Sequence, residues 1–320
     1  MPDLRAPAIE EIRAAHERIR GFVLRTPLIP FPVDVAGARI YLKPENLQSI
    51  GSFKVRGSGN AMARLSPTEL AEGVYTASAG NMAQGVAWNA RRLGVSCDVV
   101  VPEQAPVAKL QAIERLGGRI TKIPFDAWWR VLVEHRHEGM RGRFIHPVSD
   151  VDVIAGNGTI GLEIAEDLPE VDTVLVPFGG GGLSCGIAAA LRALSPKTRV
   201  LGCEIETAAP LSASLAAGAP VGITHRPSFV DGIGGKSVLA EIWPLASTLL
   251  AGSVIVSLDE TAAAIRLLVE RARIVAEGAG ASSVATALSG RAGVGTIVCV
   301  VSGGNIDPSK LATILKGEMP

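Results

Sequence analysis

The stretch Thr173-Val174-Leu175-Val176-Pro177-Phe178-Gly179-Gly180-Gly181-Gly182-Leu183-Ser184, which runs on into the apolar residues 187–194, decides the reading of this chain. A short β-branched run, four consecutive glycines and an Ala-rich segment make a strand–loop–helix unit, the repeating piece of a parallel sheet covered by helices. Each glycine in the run gives up about 0.5–1 kcal/mol of backbone order, a cost that makes sense where bare main chain must wrap a phosphate. A flexible linker is the other reading, and the abutting strand and helix argue against it. The dinucleotide fingerprint Gly-x-Gly-x-x-Gly fails in register, because Ser184 or Cys185 falls where a glycine is required. Gly235-Lys236-Ser237 matches the end of a nucleotide P-loop, but Val230 stands at its first glycine position.

Working outward, β-rich runs recur at residues 40–42, 73–76, 97–101, 119–123, 200–203, 254–256 and 296–301, with helical, Ala-rich segments between most of them. Residues 9–19 read as an opening helix, after which Thr26-Pro27 forces an extended entry into Leu28-Ile29-Pro30. The fold class expected is α/β, with two open, twisted, mostly parallel sheets. At 320 residues and 48% hydrophobic content the chain can fill two modest cores. Residues 1–44 and 148–320 are assigned to a large domain, and 45–147 to a small domain covering the site between them. The polar run 149–152 is read as the crossing back.

Lys plus Arg balances Asp plus Glu at 31 each, so no net field attracts nucleic acid or an anionic membrane. Cys97, Cys185, Cys203 and Cys299 lie far apart in apolar surroundings, which fits neither a zinc site nor a disulfide scaffold and suits a reducing cytoplasm. Residues 1–20 lack the apolar core of an export signal, and no stretch reaches the roughly 18 apolar residues of a membrane helix.

Ligands of open α/β sheets bind beyond the carboxyl ends of the strands, so the loops after Thr76, Val176 and Val301 carry the search. Thr76-Ala77-Ser78-Ala79-Gly80-Asn81 sets N–H groups and a hydroxyl at a helix start, which suits a carboxylate, although a plain helix cap reads the same way. Val301-Ser302-Gly303-Gly304-Asn305 offers a hydroxyl at another strand exit. In Gly51-Ser52-Phe53-Lys54-Val55-Arg56-Gly57 a lysine stands among apolar and small residues. Burial there would lower its pKa and make it a nucleophile toward an aldehyde, whereas most lone lysines simply face solvent.

Taken in order, these segments resemble the fold type II pyridoxal-phosphate (PLP) enzymes, in particular the serine/threonine dehydratase and serine racemase family. The resemblance also rests on Arg25-Thr26-Pro27-Leu28, Lys43-Pro44-Glu45-Asn46-Leu47-Gln48, Asp231-Gly232 and Ala276-Glu277-Gly278-Ala279-Gly280-Ala281, and it spans nearly the whole chain. It implies PLP bound as a Schiff base to Lys54, with Phe53 against the ring, Asn81 at the ring hydroxyl and Ser302 at the pyridine nitrogen. It makes Gly179, Gly180, Gly181, Gly182 and Leu183 the phosphate cradle. Ser78 and the backbone of Ala79, Gly80 and Asn81 would hold the substrate carboxylate. Glu277 falls in a family motif near the cofactor without an assigned role. The activity implied is elimination of water and ammonia from a small β-hydroxy amino acid such as L-threonine or L-serine, in a homodimer.

Departures from the family pattern bear on substrate choice. Met82 stands where relatives commonly have His, which implies a more apolar pocket and leaves bulkier substrates of the phenylserine or hydroxyaspartate type open. Ala79 stands where racemases place a proton-carrying serine, which disfavours racemisation. A β-replacement synthase and a noncatalytic PLP-binding protein are the remaining alternatives. Relatives that bind a divalent cation use acidic groups in the segment matching residues 203–210, where Glu204 is retained and Pro210 replaces a second carboxylate, so Glu204 is the one metal candidate. The ending at Pro320 implies no feedback-regulatory domain. Trp128-Trp129 is read as packing.

Overall fold

The computed structural model describes residues 4–320, and residues 1–3, at the start of the segment read for an export signal, lie outside it. Among the described residues the strands are β1 (Ile29–Pro30), β2 (Ala38–Pro44), β3 (Val74–Ala77), β4 (Cys97–Pro102), β5 (Arg119–Ile123), β6 (Arg143–Phe144), β7 (Thr173–Pro177), β8 (Arg199–Ile205), β9 (Gly252–Val256) and β10 (Gly295–Val301). They form a six-stranded sheet ordered β1-β2-β10-β7-β8-β9 and a four-stranded sheet ordered β5-β4-β3-β6. Every pair is parallel except β1 with β2. Each β-rich run read from the sequence falls on one of these strands, the run at 73–76 starting one residue before β3. β6 has no counterpart among those runs, because its two residues are too short to carry a pattern.

All residues of β3 and β7 are buried, as expected of strands covered on both faces. The helices Val151–Asp167 and Gly182–Leu194 pack closely, because a Cβ on Gly186 would lie 2.4 Å from the Ile154 carbonyl. The polar run at 149–152 has a local cause: Asp150 caps the helix Val151–Asp167 by accepting from the Asp152 and Val153 N–H groups.

In both sheets the chain reverses direction of winding beside a strand whose outgoing loop was singled out. β10 returns between β2 and β7, so the loops after Val301 and Pro177 leave the same edge side by side. In the smaller sheet β6 returns beside β3, next to the loop that follows Ala77. These are the switch points at which open α/β sheets leave a crevice.

A buried ionic cluster ties the sheets together. The Arg56 guanidinium donates to both oxygens of Glu45 at 2.8 Å, and to Glu163 at 2.6 and 3.0 Å. Lys43 Nζ donates to Glu163 at 2.6 Å and to the Thr26 carbonyl at 2.6 Å. All four charged side chains are 0–1% exposed. Burial drives the Glu163 carboxyl up, but Arg56 and Lys43 outweigh it and hold the group below its ordinary range. Two cations and two anions cancel, so the cluster is stable only as a set. Arg56→Met is expected to cost about 3–5 kcal/mol, because it leaves two buried carboxylates with Lys43 as their one buried cation; the urea unfolding midpoint checks this.

Candidate active site

Lys54 begins the helix Lys54–Ala63, directly after a turn stitched to the exit of β10. Phe53 N–H donates to the Ser302 carbonyl at 3.0 Å, Gly304 N–H to the Gly51 carbonyl at 2.9 Å, and Ser52 bridges Gly303. Lys54 Nζ donates to the Pro147 carbonyl at 2.9 Å and stands 5.1 Å from the Phe53 ring centre. Burial pushes the amine down to about 8, so far more of it is uncharged near neutral pH than of a surface lysine.

From Pro147 the next residue reaches the glycine loop. A Cβ on Gly180 would meet Val148 Cγ2 at 2.4 Å, one on Gly181 would meet Ile242 Cγ2 at 2.7 Å, and one on Gly182 would meet the Val148 carbonyl at 2.9 Å. Gly181, the residue before the helix Gly182–Leu194, also has φ +94°. Here the sequence cost of three of the four glycines, Gly180 to Gly182, has its cause: the main chain is wedged, and the first-turn N–H groups of that helix have no partner within it. Such a terminus fits a phosphate dianion. The enclosed, depressed amine of Lys54 fits a carbonyl carbon.

The third loop joins through Asn81, the first residue of the helix Asn81–Leu93. Its amide donates to Glu277 Oε1 at 2.7 Å, and its carbonyl accepts from Asn305 Nδ2 at 2.8 Å. Gly303 is close enough that a Cβ would lie 3.2 Å from Asn81 Nδ2. The residue before the helix is Gly80, which offers no side-chain cap, and Ser78 Oγ accepts instead from the Gly80 N–H at 3.2 Å. An ordinary Ser or Asn cap is therefore not what this loop is for.

Lys54, Phe53, Asn81, Ser302 and the Gly179–Gly182 loop thus converge, with Ser78, Ala79 and Gly80 on the segment that presents Asn81. Met82 differs from expectation: it is 2% exposed and packs with Met62, Val86 and Val99 in the core of the smaller sheet, so it does not make the pocket more apolar. Glu204 is corrected as a metal candidate. One of its oxygens accepts from Leu211 N–H at 2.7 Å, the other from Ser212 N–H and Ser253 Oγ, both at 2.8 Å, which dedicates it to the start of the helix Pro210–Ala217. Glu206 likewise accepts from Leu258 N–H.

Reading residue types assigns no role to Glu277, Asn305, Pro147 or Val148. Asn305 and Glu277 sit in quoted motifs, but a main-chain acceptor such as Pro147 leaves no signal in residue type. Glu277 is 7% exposed, and burial, reinforced by Asp231, pushes its carboxyl up to about 7 against the opposing pull of the Asn81 amide and Lys109.

The site is thus built to hold an aldehyde cofactor by an amine and a phosphate by a glycine loop, as PLP-dependent enzymes do. The family of pyridoxal-phosphate dependent enzymes matches residues 19–303. An L-threonine ammonia-lyase of Thermotoga maritima is 40% identical over 316 residues, which cover 96% of this chain and 78% of that protein. Among solved structures, the processed form of threonine deaminase isoform 2 from Solanum lycopersicum superposes with TM-score 0.85 at 33% identity, covering 96% of this chain and 93% of that one. A serine racemase of Dictyostelium discoideum superposes with TM-score 0.85 at 32% identity, covering 95% and 100%. The chain belongs to the family of pyridoxal-phosphate-dependent enzymes.

Gly180→Ala should weaken PLP binding, read as loss of cofactor absorbance on dilution, because Val148 blocks the added methyl. Glu277 has a folded pKa of about 7 against an ordinary value of 4.5, so its contribution is fully present below about pH 4.5 and lost as pH rises to about 7. In the cofactor-stripped protein, Glu277→Gln should remove that decline, on the order of 3 kcal/mol between those limits, as measured by thermal melts across pH.

Proposed function

We propose that this chain is a dehydratase of β-hydroxy amino acids, releasing a 2-keto acid and ammonia from L-threonine or L-serine. The observation that carries the reading is the depressed Lys54 amine set between the Ser302 exit and the Gly180–Gly182 loop. The kinship with L-threonine ammonia-lyase over nearly the full chain supports it.

PLP, when bound, supplies an electron sink for the bond broken at the substrate's α-carbon. The residues' placement supports the task proposed for each. Lys54 Nζ would hold the cofactor's aldehyde carbon, and its depressed pKa suits that amine to take a proton near neutral pH. The N–H groups of Gly179 to Leu183 would hold the phosphate, and Phe53, beside the amine, would lie against the ring. Ser302, 4% exposed and directly after β10, would offer its hydroxyl to the ring nitrogen. Asn81, locked in orientation by Glu277 and Asn305, has one N–H left for the ring hydroxyl. Ser78, with the main chain of Ala79 to Asn81, binds the substrate carboxylate at an uncapped helix start.

A racemase needs a second proton carrier on the opposite face of the substrate, and the methyl group of Ala79 moves no proton. The test is ammonia and keto-acid release across L- and D-threonine, serine, phenylserine and hydroxyaspartate, with Lys54→Ala as blank. Release from L-threonine or L-serine, abolished in the blank, is expected. Inversion of the α-carbon without ammonia, or no turnover by protein that holds PLP, sinks the assignment.

A further inference from the structure

Residues 145–149 return from β6 to the helix Val151–Asp167, and two groups of the site hang on them. The Pro147 carbonyl accepts from Lys54 Nζ at 2.9 Å, and Val148 packs where Gly180 has no Cβ. A carbonyl aimed at a lysine needs its peptide plane fixed, and the N–H that shares the plane of the Pro147 carbonyl is that of Val148.

His146 supplies the pin. The side chain is 2% exposed. Its Nδ1 lies 3.1 Å from the Val148 nitrogen and 2.6 Å from the Ser149 nitrogen, and its Nε2 lies 3.0 Å from the Leu132 carbonyl oxygen. Backbone N–H groups only donate and a carbonyl only accepts, so the proton sits on Nε2 and Nδ1 keeps its lone pair. Burial, then the neighbouring His135 and Lys54, push the ring's pKa down to about 3 despite the Leu132 carbonyl, so the imidazole is neutral. His135 stacks on it, 4.2 Å between ring centres and 17° apart, and places its own Nε2 3.0 Å from Glu241 Oε1.

His135, His146 and Glu241 bring three potential ligand atoms within 4.8 Å of one another. Both His146 nitrogens are already engaged with backbone, so a metal ion there would have to break the turn. The cluster reads instead as a support.

We propose that His146 is a positioning residue for Lys54: its unprotonated Nδ1 gathers the Val148 and Ser149 N–H groups into the turn that aims the Pro147 carbonyl at the Lys54 amine and seats Val148 against the glycine loop. The inference rests on Lys54 being the reactive amine. It accounts for a histidine that never touches the reacting atoms, and it uses the acceptor geometry of one ring nitrogen.

Asparagine and glutamine separate that role from simple filling of space. The side-chain oxygen of Asn reaches the place of Nδ1, whereas that of Gln reaches the place of Nε2. In the holoenzyme, His146→Gln is expected to lower kcat on the order of 10²-fold with little change in KM, as a misplaced reacting group does. His146→Asn is expected to recover kcat to within about tenfold of the parent, which corresponds to about 1.4 kcal/mol of barrier. Borohydride reduction and peptide mapping report in each protein whether Lys54 carries the cofactor. Nitrogen-15 spectra of the unmutated holoenzyme should show His146 protonated at Nε2 alone at neutral pH, a result that needs no variant to fold. Equal damage by Asn and Gln, wild-type rates in both, or a proton on Nδ1 overturns the proposal. Labelling at a lysine other than Lys54 in the parent protein overturns the site reading beneath it.

Discussion

The pairing of Arg56 with Glu45 and Glu163 is the constraint on which the rest of the molecule depends. Arg56 lies two residues beyond Lys54 on the same helix, Glu45 follows β2, and Glu163 belongs to the long helix that carries the chain back from the smaller sheet. The guanidinium therefore fixes the helix bearing the reactive amine to both neighbours at once. Replacing such a set by apolar groups of equal volume is often neutral, so its stability alone does not explain it. Orientation does: a forked cation meeting carboxylates on two sides allows one rotation of the Lys54 helix, where packed methyl groups would allow several.

Around that anchor the site is made of main chain as much as side chain. The edge of the larger sheet contributes the exits of β7 and β10, and the smaller sheet contributes the exit of β3. Hydrogen bonds from Phe53 to Ser302 and from Gly304 to Gly51 join the crossing segment to the exit of β10, and one from Glu277 to Gly303 ties two loops of the larger unit. Asn81 then spans the crevice, held by Glu277 from the larger unit and by Asn305 from the loop after β10. A neutral Glu277 would donate and accept at this junction, and a charged one would only accept, so its raised pKa makes the junction's bonding depend on pH.

How much of this the sequence discloses follows from what leaves a mark in residue type. The strands β3, β4, β7, β8 and β10 are legible because parallel strands buried on both faces read as near-continuous apolar runs, whereas the edge strands β5 and β9, exposed or half-buried along most of their length, are legible from their β-branched residues. Lys54, Gly179 to Gly182, Asn81 and Ser302 are legible because each stands at a strand exit or in a loop where its residue type is out of place. Met82 misleads because one residue of helix rotates a side chain by about 100°. That turn takes it from the crevice into the core. Glu204 misleads because a buried carboxylate that caps a helix and one that binds a cation look alike until its lone pairs are counted. Pro147 is invisible, since its contribution is a carbonyl that every residue possesses.

Among the described residues the chain crosses between the two sheets twice, outward between β2 and β3 and back between β6 and the helix Val151–Asp167. Lys54 lies on the first crossing, Pro147 lies on the second, and one hydrogen bond of 2.9 Å joins them. The passage between the two sheets and the Lys54 amine are thus the same place. A rocking of one sheet against the other would act as a torsion across that bond, so that opening the crevice would also loosen the lysine.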